Sequence, residues 1–94
     1  MDKPIEWNPE KNRTLKALRG VCFEEVSDLL ENDDYLDIQP HYNKHKYPNQ
    51  NIFYVLIRGY VYMVPYVEND DNIFLKTIIP SRKALKKYIT NKKE

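Results

Sequence analysis

The chain has 94 residues and a formal net charge of +1, with 41% apolar and 31% charged side chains. That size fits one domain, its composition excludes disorder throughout, and its near-neutral balance gives no general ground for binding a polyanion. A single cysteine, Cys22, excludes an internal disulfide and a cysteine-based metal site.

Taken in chain order, residues 4–7 are short and extended, an expected edge strand. Asn8-Pro9 has the form of a helix start, since Asn caps free N–H groups and Pro suits the first helical position. The helix is expected to run to Arg19 and to stop at Gly20. A second helix is predicted over 23–31, with Phe23, Val26, Leu29 and Leu30 as its buried stripe. Residues 32–34 stop it, and 35–39 alternate as a short strand. The stretch 40–51 is polar, with Pro40, Pro48 and both histidines, His41 and His45. It reads as a loop of about a dozen residues, and loops of that length are often functional. Residues 52–57 and 60–67 form a hairpin around Arg58-Gly59, and 73–79 add a third strand after a polar turn. Pro65 lacks a donor and is expected at an edge or a bulge. Ser81 caps a last helix over 82–91, with Leu85, Tyr88 and Ile89 inward. The fold class is α+β: an antiparallel meander with two N-terminal helices and one C-terminal helix in a single domain. No N-terminal run has the form of a signal peptide. The apolar stretch 52–67 is broken by Arg58, Gly59 and Pro65, so it does not read as a membrane span. The expected compartment is the cytoplasm.

Charge is unevenly distributed. Residues 24–37 hold seven acids and no base, whereas 82–93 hold six bases and no acid. Two readings follow: two solvated helix faces of opposite sign packed near each other, or a functional basic surface. Arg82 precedes Leu85 and Ile89 by three and seven residues, which aims it back along the sheet. There it can grip a phosphate or pair with a structural carboxylate. Lys16 and Arg19, with Asn12, share a face of the first helix as phosphate contacts or as a solvated stripe. Lys76 lies mid-strand, either as a phosphate ligand or general base or as a charge that discourages edge pairing. Tyr60, Tyr62 and Tyr66 share a strand face, and the favoured reading is a half-buried face covered by helices or by a partner rather than a base-stacking platform. His41 and His45 sit four apart in a loop with no third ligand, so no metal or cofactor is expected. Cys22 reads as buried and inert.

Three segments carry a family resemblance. Ile5-Glu6-Trp7-Asn8-Pro9-Glu10-Lys11-Asn12 resembles the F-E-W-D-xx-K-N opening of the BrnT toxins. Gly20-Val21-Cys22-Phe23-Glu24-Glu25-Val26 is similar to their G-V-S-F-E-E-A. Ile78-Ile79-Pro80-Ser81-Arg82-Lys83-Ala84 is similar to their I-I-S-A-R-K-A. The order and separations fit over nearly the full length, while Tyr47-Pro48-Asn49-Gln50 departs from the typical loop and marks a divergent branch. The resemblance implies a RelE-like fold, RNA cleavage that inhibits translation and growth, and a ribbon-helix-helix antitoxin as partner, with DNA contacted only through that antitoxin. It places Arg82 at the family's closing arginine and Trp7 at its opening tryptophan. Leu18-Arg19 stands where the family commonly has Lys-His, and Thr77 where it often has Arg.

The mechanism expected from this reading is metal-independent. Arg82 and Arg19 would stabilise charge on the phosphoryl oxygens, with Lys76, Lys16 or Tyr66 moving protons. Lys16, Arg58, Lys83 and Lys86 would hold the RNA backbone. The alternative is a catalytically degraded binding module of the same fold that acts only through its partner.

Overall fold

The computed structural model describes residues 2–90. After a short strand β1 (Ile5–Trp7), Asn8 starts helix α1 (Pro9–Arg19). Asn8 Oδ1 accepts from the N–H groups of Glu10 and Lys11 at 2.8 and 3.0 Å, and Pro9 occupies the first turn. Gly20 closes α1 at φ 70°, a left-handed conformation that glycine adopts at little cost. The chain then turns directly into α2 (Phe23–Glu31).

The start of α2 is held by α1 as well as by its own capping box. Asn12 Oδ1 accepts from Phe23 N at 2.7 Å, and its Nδ2 donates to Glu24 Oε1 at 2.8 Å. Cys22, half-buried rather than buried, donates its backbone N–H to Glu25 Oε1. Asn12, weighed above as a phosphate contact, is therefore occupied in joining the two helices.

Four further strands form the meander: β2 (Asp37–Pro40), β3 (Asn51–Ile57), β4 (Tyr60–Glu68) and β5 (Ile73–Leu75). A two-residue strand β6 (Ile79–Pro80) and helix α3 (Arg82–Tyr88) follow. The β3–β4 turn has Arg58 and Gly59 at φ 49° and 82°, both left-handed, as a tight hairpin demands. Arg58 tolerates this strained position while its guanidinium bridges the Glu25 carboxylate and the Gly20 carbonyl. Ser81 caps α3, accepting from Ala84 N at 3.0 Å. The helix ends at Tyr88 with Ile89 as its C-cap, short of the expected residue 91, which itself lies outside the described residues.

Two expectations are corrected. The sheet is mixed, not purely antiparallel, because β1 pairs in parallel with β5 in the order β1-β5-β4-β3-β2. The helix pair carries the chain from the β1 edge to the β2 edge. Three antiparallel steps then bring β5 back to β1 with its direction already fixed. The strand expected over 73–79 is also split, with β6 pairing separately to β4.

Strand alternation divides the core into two sides. Phe53, Val55 and Ile57 of β3, with Val64 and Tyr66 of β4, pack against Leu15, Phe23, Val26 and Leu30 of α1 and α2. Trp7 stacks on Phe23 at 5.7 Å from the sheet edge. Tyr54 faces the other way, its ring 5.1 Å from that of Tyr88 on α3. The first and last helices therefore cover opposite faces, and Arg19 of α1 and Arg82 of α3 do not meet as the expected mechanism requires.

Asn12→Ala removes the partner of the part-buried Phe23 N–H. It should lower stability by about 1–2 kcal/mol, read as a lower urea midpoint with an unchanged slope. An unchanged midpoint would show that α2 holds its start without α1.

Candidate functional site

The site begins with a missing donor. Lys76 N donates to Pro65 O at 2.8 Å, so the Pro65 backbone faces the β5–β6 side of β4. Its nitrogen carries no hydrogen to offer there. Opposite it the neighbouring strand gains one residue. Val67 pairs with Phe74 and Met63 with Ile79, so four steps along β4 oppose five along the facing chain. This is the bulge expected at Pro65, and it sets Lys76 and Thr77 out of the regular ladder. Arg19 steadies it from α1, donating from Nη1 to Ile78 O at 2.7 Å.

The bulge floors a cleft of about 440 Å³. Pro65, Lys76, Thr77 and Ile79 form the floor, and Lys11 reaches in from the start of α1. The opposite wall is the 41–50 loop, through His41, Tyr42, Asn43, Lys46, Tyr47 and Gln50. Tyr42 is shared with a second cleft of about 360 Å³ beside α3, lined also by Tyr54, Met63, Ser81, Lys83, Ala84, Lys87 and Tyr88. Together the two present five lysines and four tyrosines, and no described carboxylate lines either. Tyr42 is 70% exposed, its phenol ring open to a planar ligand.

The loop is held by its own bonds. Tyr47 N donates to Asn43 O at 2.9 Å, Lys46 N to Asn43 Oδ1 at 3.1 Å, and His41 N to Gln50 O at 3.0 Å. His41 is buried, with its ring 4.4 Å from Tyr42 and 4.5 Å from Tyr47. Its Nδ1 accepts from Asn43 N at 3.0 Å, and burial pushes its pKa below the ordinary 6.5. At the rim by α3, Tyr88 donates to Asp37 Oδ2 at 2.6 Å. That bond, ahead of one from Gln39, holds the Asp37 carboxyl below its usual range, while burial and then Asp37 push the Tyr88 phenol upward.

The structure separates the residues expected from sequence. Lys76 and Lys83 line the clefts. Arg82 lies between the lining residues Ser81 and Lys83 but is itself exposed, with no hydrogen bond or ion pair among the described residues. Lys86 is exposed on α3 away from both clefts. Arg19 is tied to the bulge carbonyl and Arg58 to Glu25. Lys16 lies near the α2 acids, where its charge helps hold the Glu24 and Glu25 carboxyls below their usual range. Tyr66 is only 4% exposed and stacks on Phe53 at 4.2 Å, with burial raising its phenol pKa. It belongs to the core, as does the β4 face that carries Tyr62.

Sequence reasoning passed over Lys11, Lys46, Lys87, Tyr42, Tyr47 and the role of His41. The length of the 40–51 loop was the one signal that pointed to several of them. Among the described residues no three His, Cys, Asp or Glu side chains are grouped as a metal site requires, and no helix is long and apolar enough to cross a membrane. No family model, curated protein or solved structure matches the chain.

The depressed His41 pKa gives a pH dependence of defined sign. In the unfolded chain His41 takes a proton near its ordinary value, and in the folded loop it resists until lower pH. The loop's stability is therefore complete above about 6.5 and declines as pH falls below it. Amide exchange in 41–50 should quicken, relative to the sheet, as pH falls through the range below about 6.5, after correction for intrinsic rates. Flat protection across that range would contradict the assignment.

Proposed function

We propose that this chain is a metal-independent endoribonuclease of the BrnT kind, the toxin of a bacterial type II toxin–antitoxin pair. It acts in the cytoplasm on single-stranded RNA, inhibits translation, and is neutralised by a ribbon-helix-helix antitoxin. The observation that carries the RNA reading is the pair of adjoining clefts with five lysines, four tyrosines and no described carboxylate. Ammonium groups meet a phosphate backbone through salt-sensitive contacts, and tyrosine rings stack on unpaired bases without regard to sequence. The helix and strand order is compatible with a RelE-like arrangement. The toxin class and the antitoxin rest on the three segments that resemble BrnT.

In the proposed reaction the RNA 2′-hydroxyl attacks the adjacent phosphorus and the bond to the 5′-oxygen breaks. The products are a 2′,3′-cyclic phosphate and a free 5′-hydroxyl. The hydroxyl proton leaves as the new P–O bond forms, and a proton reaches the departing oxygen. Lys76 is the expected catalytic side chain that lines the larger cleft, and Arg82 is an exposed side chain between Ser81 and Lys83, which line the smaller one. Positive charge at these places stabilises the phosphorane oxygens without a metal.

A second reading is favoured by one specific observation. Arg19, Arg58 and Tyr66 are engaged in the fold, so fewer of the expected residues are free for chemistry. A binding module that acts only through its partner fits that fact.

Purified protein incubated with cellular RNA in EDTA should yield cyclic-phosphate ends. Lys76→Ala and Arg82→Ala should each cut at least about tenfold more slowly. Equal cleavage by all three proteins, or by none, defeats the nuclease reading. Growth arrest on expression, relieved by a co-expressed ribbon-helix-helix protein from the neighbouring gene, separates the toxin from the module.

A further inference from the structure

His41 has a feature that the RNA reading does not use. It is 6% exposed, yet it lines the larger cleft, and its two ring nitrogens have different surroundings. Nδ1 accepts the Asn43 N–H, so the neutral ring carries its proton on Nε2. No partner for Nε2 occurs among the described residues, and Nε2 is not among the fully buried unpaired atoms. The Nε2–H is therefore not fully buried, on a side chain that lines the cleft. Tyr42 and Tyr47 flank the ring, and the loop's internal bonds fix its orientation.

The charged groups lining this cleft are all of one sign: Lys11 from α1, Lys46 from the loop and Lys76 from the bulge. Protonating His41 at Nδ1 would set its new N–H against that of Asn43, and would add a fourth cation to the three lysines. Burial opposes it further. The imidazole is thus kept as an uncharged donor of fixed direction. A fixed neutral N–H among three ammonium groups suits a tetrahedral oxyanion with several acceptor oxygens.

We propose that this cleft is a phosphate-binding site, in which neutral His41 donates from Nε2 to a non-bridging phosphoryl oxygen and Lys11, Lys46 and Lys76 supply the balancing charge. The assignment rests on the RNA reading only for the source of the phosphate, a backbone diester rather than the free ion. His41 is then a hydrogen-bond donor to the ligand and not a general base.

Nitrogen-15 NMR of the imidazoles in the full chain tests this directly. At pH 7 His41 should show the Nε2–H tautomer. Its Nε2 signal should move and saturate on addition of a short oligothymidylate, which cannot be cleaved through a 2′-hydroxyl. Inorganic phosphate forms the second arm. A shift with phosphate but not with the oligonucleotide supports a free-anion site, and a shift with the oligonucleotide supports a backbone site. An Nδ1–H tautomer, or an Nε2 signal unmoved by both saturating probes, overturns the proposal.

Variants give an independent readout. His41→Asn keeps an acceptor near Nδ1 but loses the Nε2 donor, and should weaken binding of the probe that moves Nε2 roughly tenfold. His41→Gln places an amide N–H near the Nε2 position and should recover most of that loss. If both folded variants bind as tightly as the native chain, the donor role is overturned. Cleavage is scored separately, so that an Nε2 shift without RNA cleavage leaves the phosphate site standing while the nuclease reading falls. Cleavage with an unmoved Nε2 does the reverse.

Discussion

The missing hydrogen on Pro65 is the constraint on which the candidate site depends. A regular strand paired along that side of β4 would leave a carbonyl facing a nitrogen that cannot donate. The chain adds one residue at that place, and Lys76 N keeps the Pro65 carbonyl satisfied. The consequence reaches beyond one bond. The extra residue ends β5, starts β6 in a new register, and opens the floor between Lys11 and the 41–50 loop. A bulge can re-aim side chains that a regular strand would alternate between two faces. Here it brings Ile78, rather than Thr77, into the core after Ile73 and Leu75, while Lys76 keeps the face of Phe74 and lines the cleft.

The sheet also separates charge. The acids of α2 lie on the side of α1, where Glu25 pairs with Arg58 and Lys16 stands near Glu24 and Glu25. Apart from Lys11, which reaches in from the start of α1, the cleft lysines lie on α3, the bulge and the loop. A net charge of +1 therefore conceals two faces of opposite character. Local potential, not the total, decides where an anion settles, because exposed charges further apart than about 8–10 Å are largely screened at physiological salt.

Much of the local structure was legible in the chain. Asn8-Pro9, Gly20 and Ser81 each mark a helix boundary through their own backbone or side-chain chemistry, and all three do so in the structure. Arg58-Gly59 marks the hairpin for the same reason. What was not legible is which face each helix covers. Period-2 alternation assigns Tyr62 and Tyr66 to one side of β4, but says nothing of whether α1 and α2 or α3 will cover it. Tyr66 thus reads either as a stacking platform or, the favoured reading, as a half-buried face, and it is core. Parallel pairing of β1 with β5 is hidden too, since it depends on where the helices carry the chain. The candidate site was visible only as a long polar loop and two separate lysines, Lys76 and Lys83, because their approach to Lys11 and Lys46 is made by tertiary structure alone.

Arg19 illustrates why a charged residue beside a site need not act on the ligand. Its guanidinium donates to Ile78 O, on the chain segment that the bulge displaces from the ladder. A displaced carbonyl in part-buried surroundings costs about 1–3 kcal/mol if it is left without a donor. An arginine at the end of α1 meets that need and couples the helix to the cleft floor. Loss of Arg19 would act on any ligand through the position of residues 76–78, whereas loss of Lys76 would act by removing a charge from the cleft itself. The two effects differ in salt dependence. Removing a direct phosphate contact flattens the slope of affinity against salt, while disturbing the floor lowers affinity and leaves that slope nearly intact. The proposed phosphate site would make Arg19 a positioning residue and Lys76 a contact residue, although the sequence presents both simply as cations.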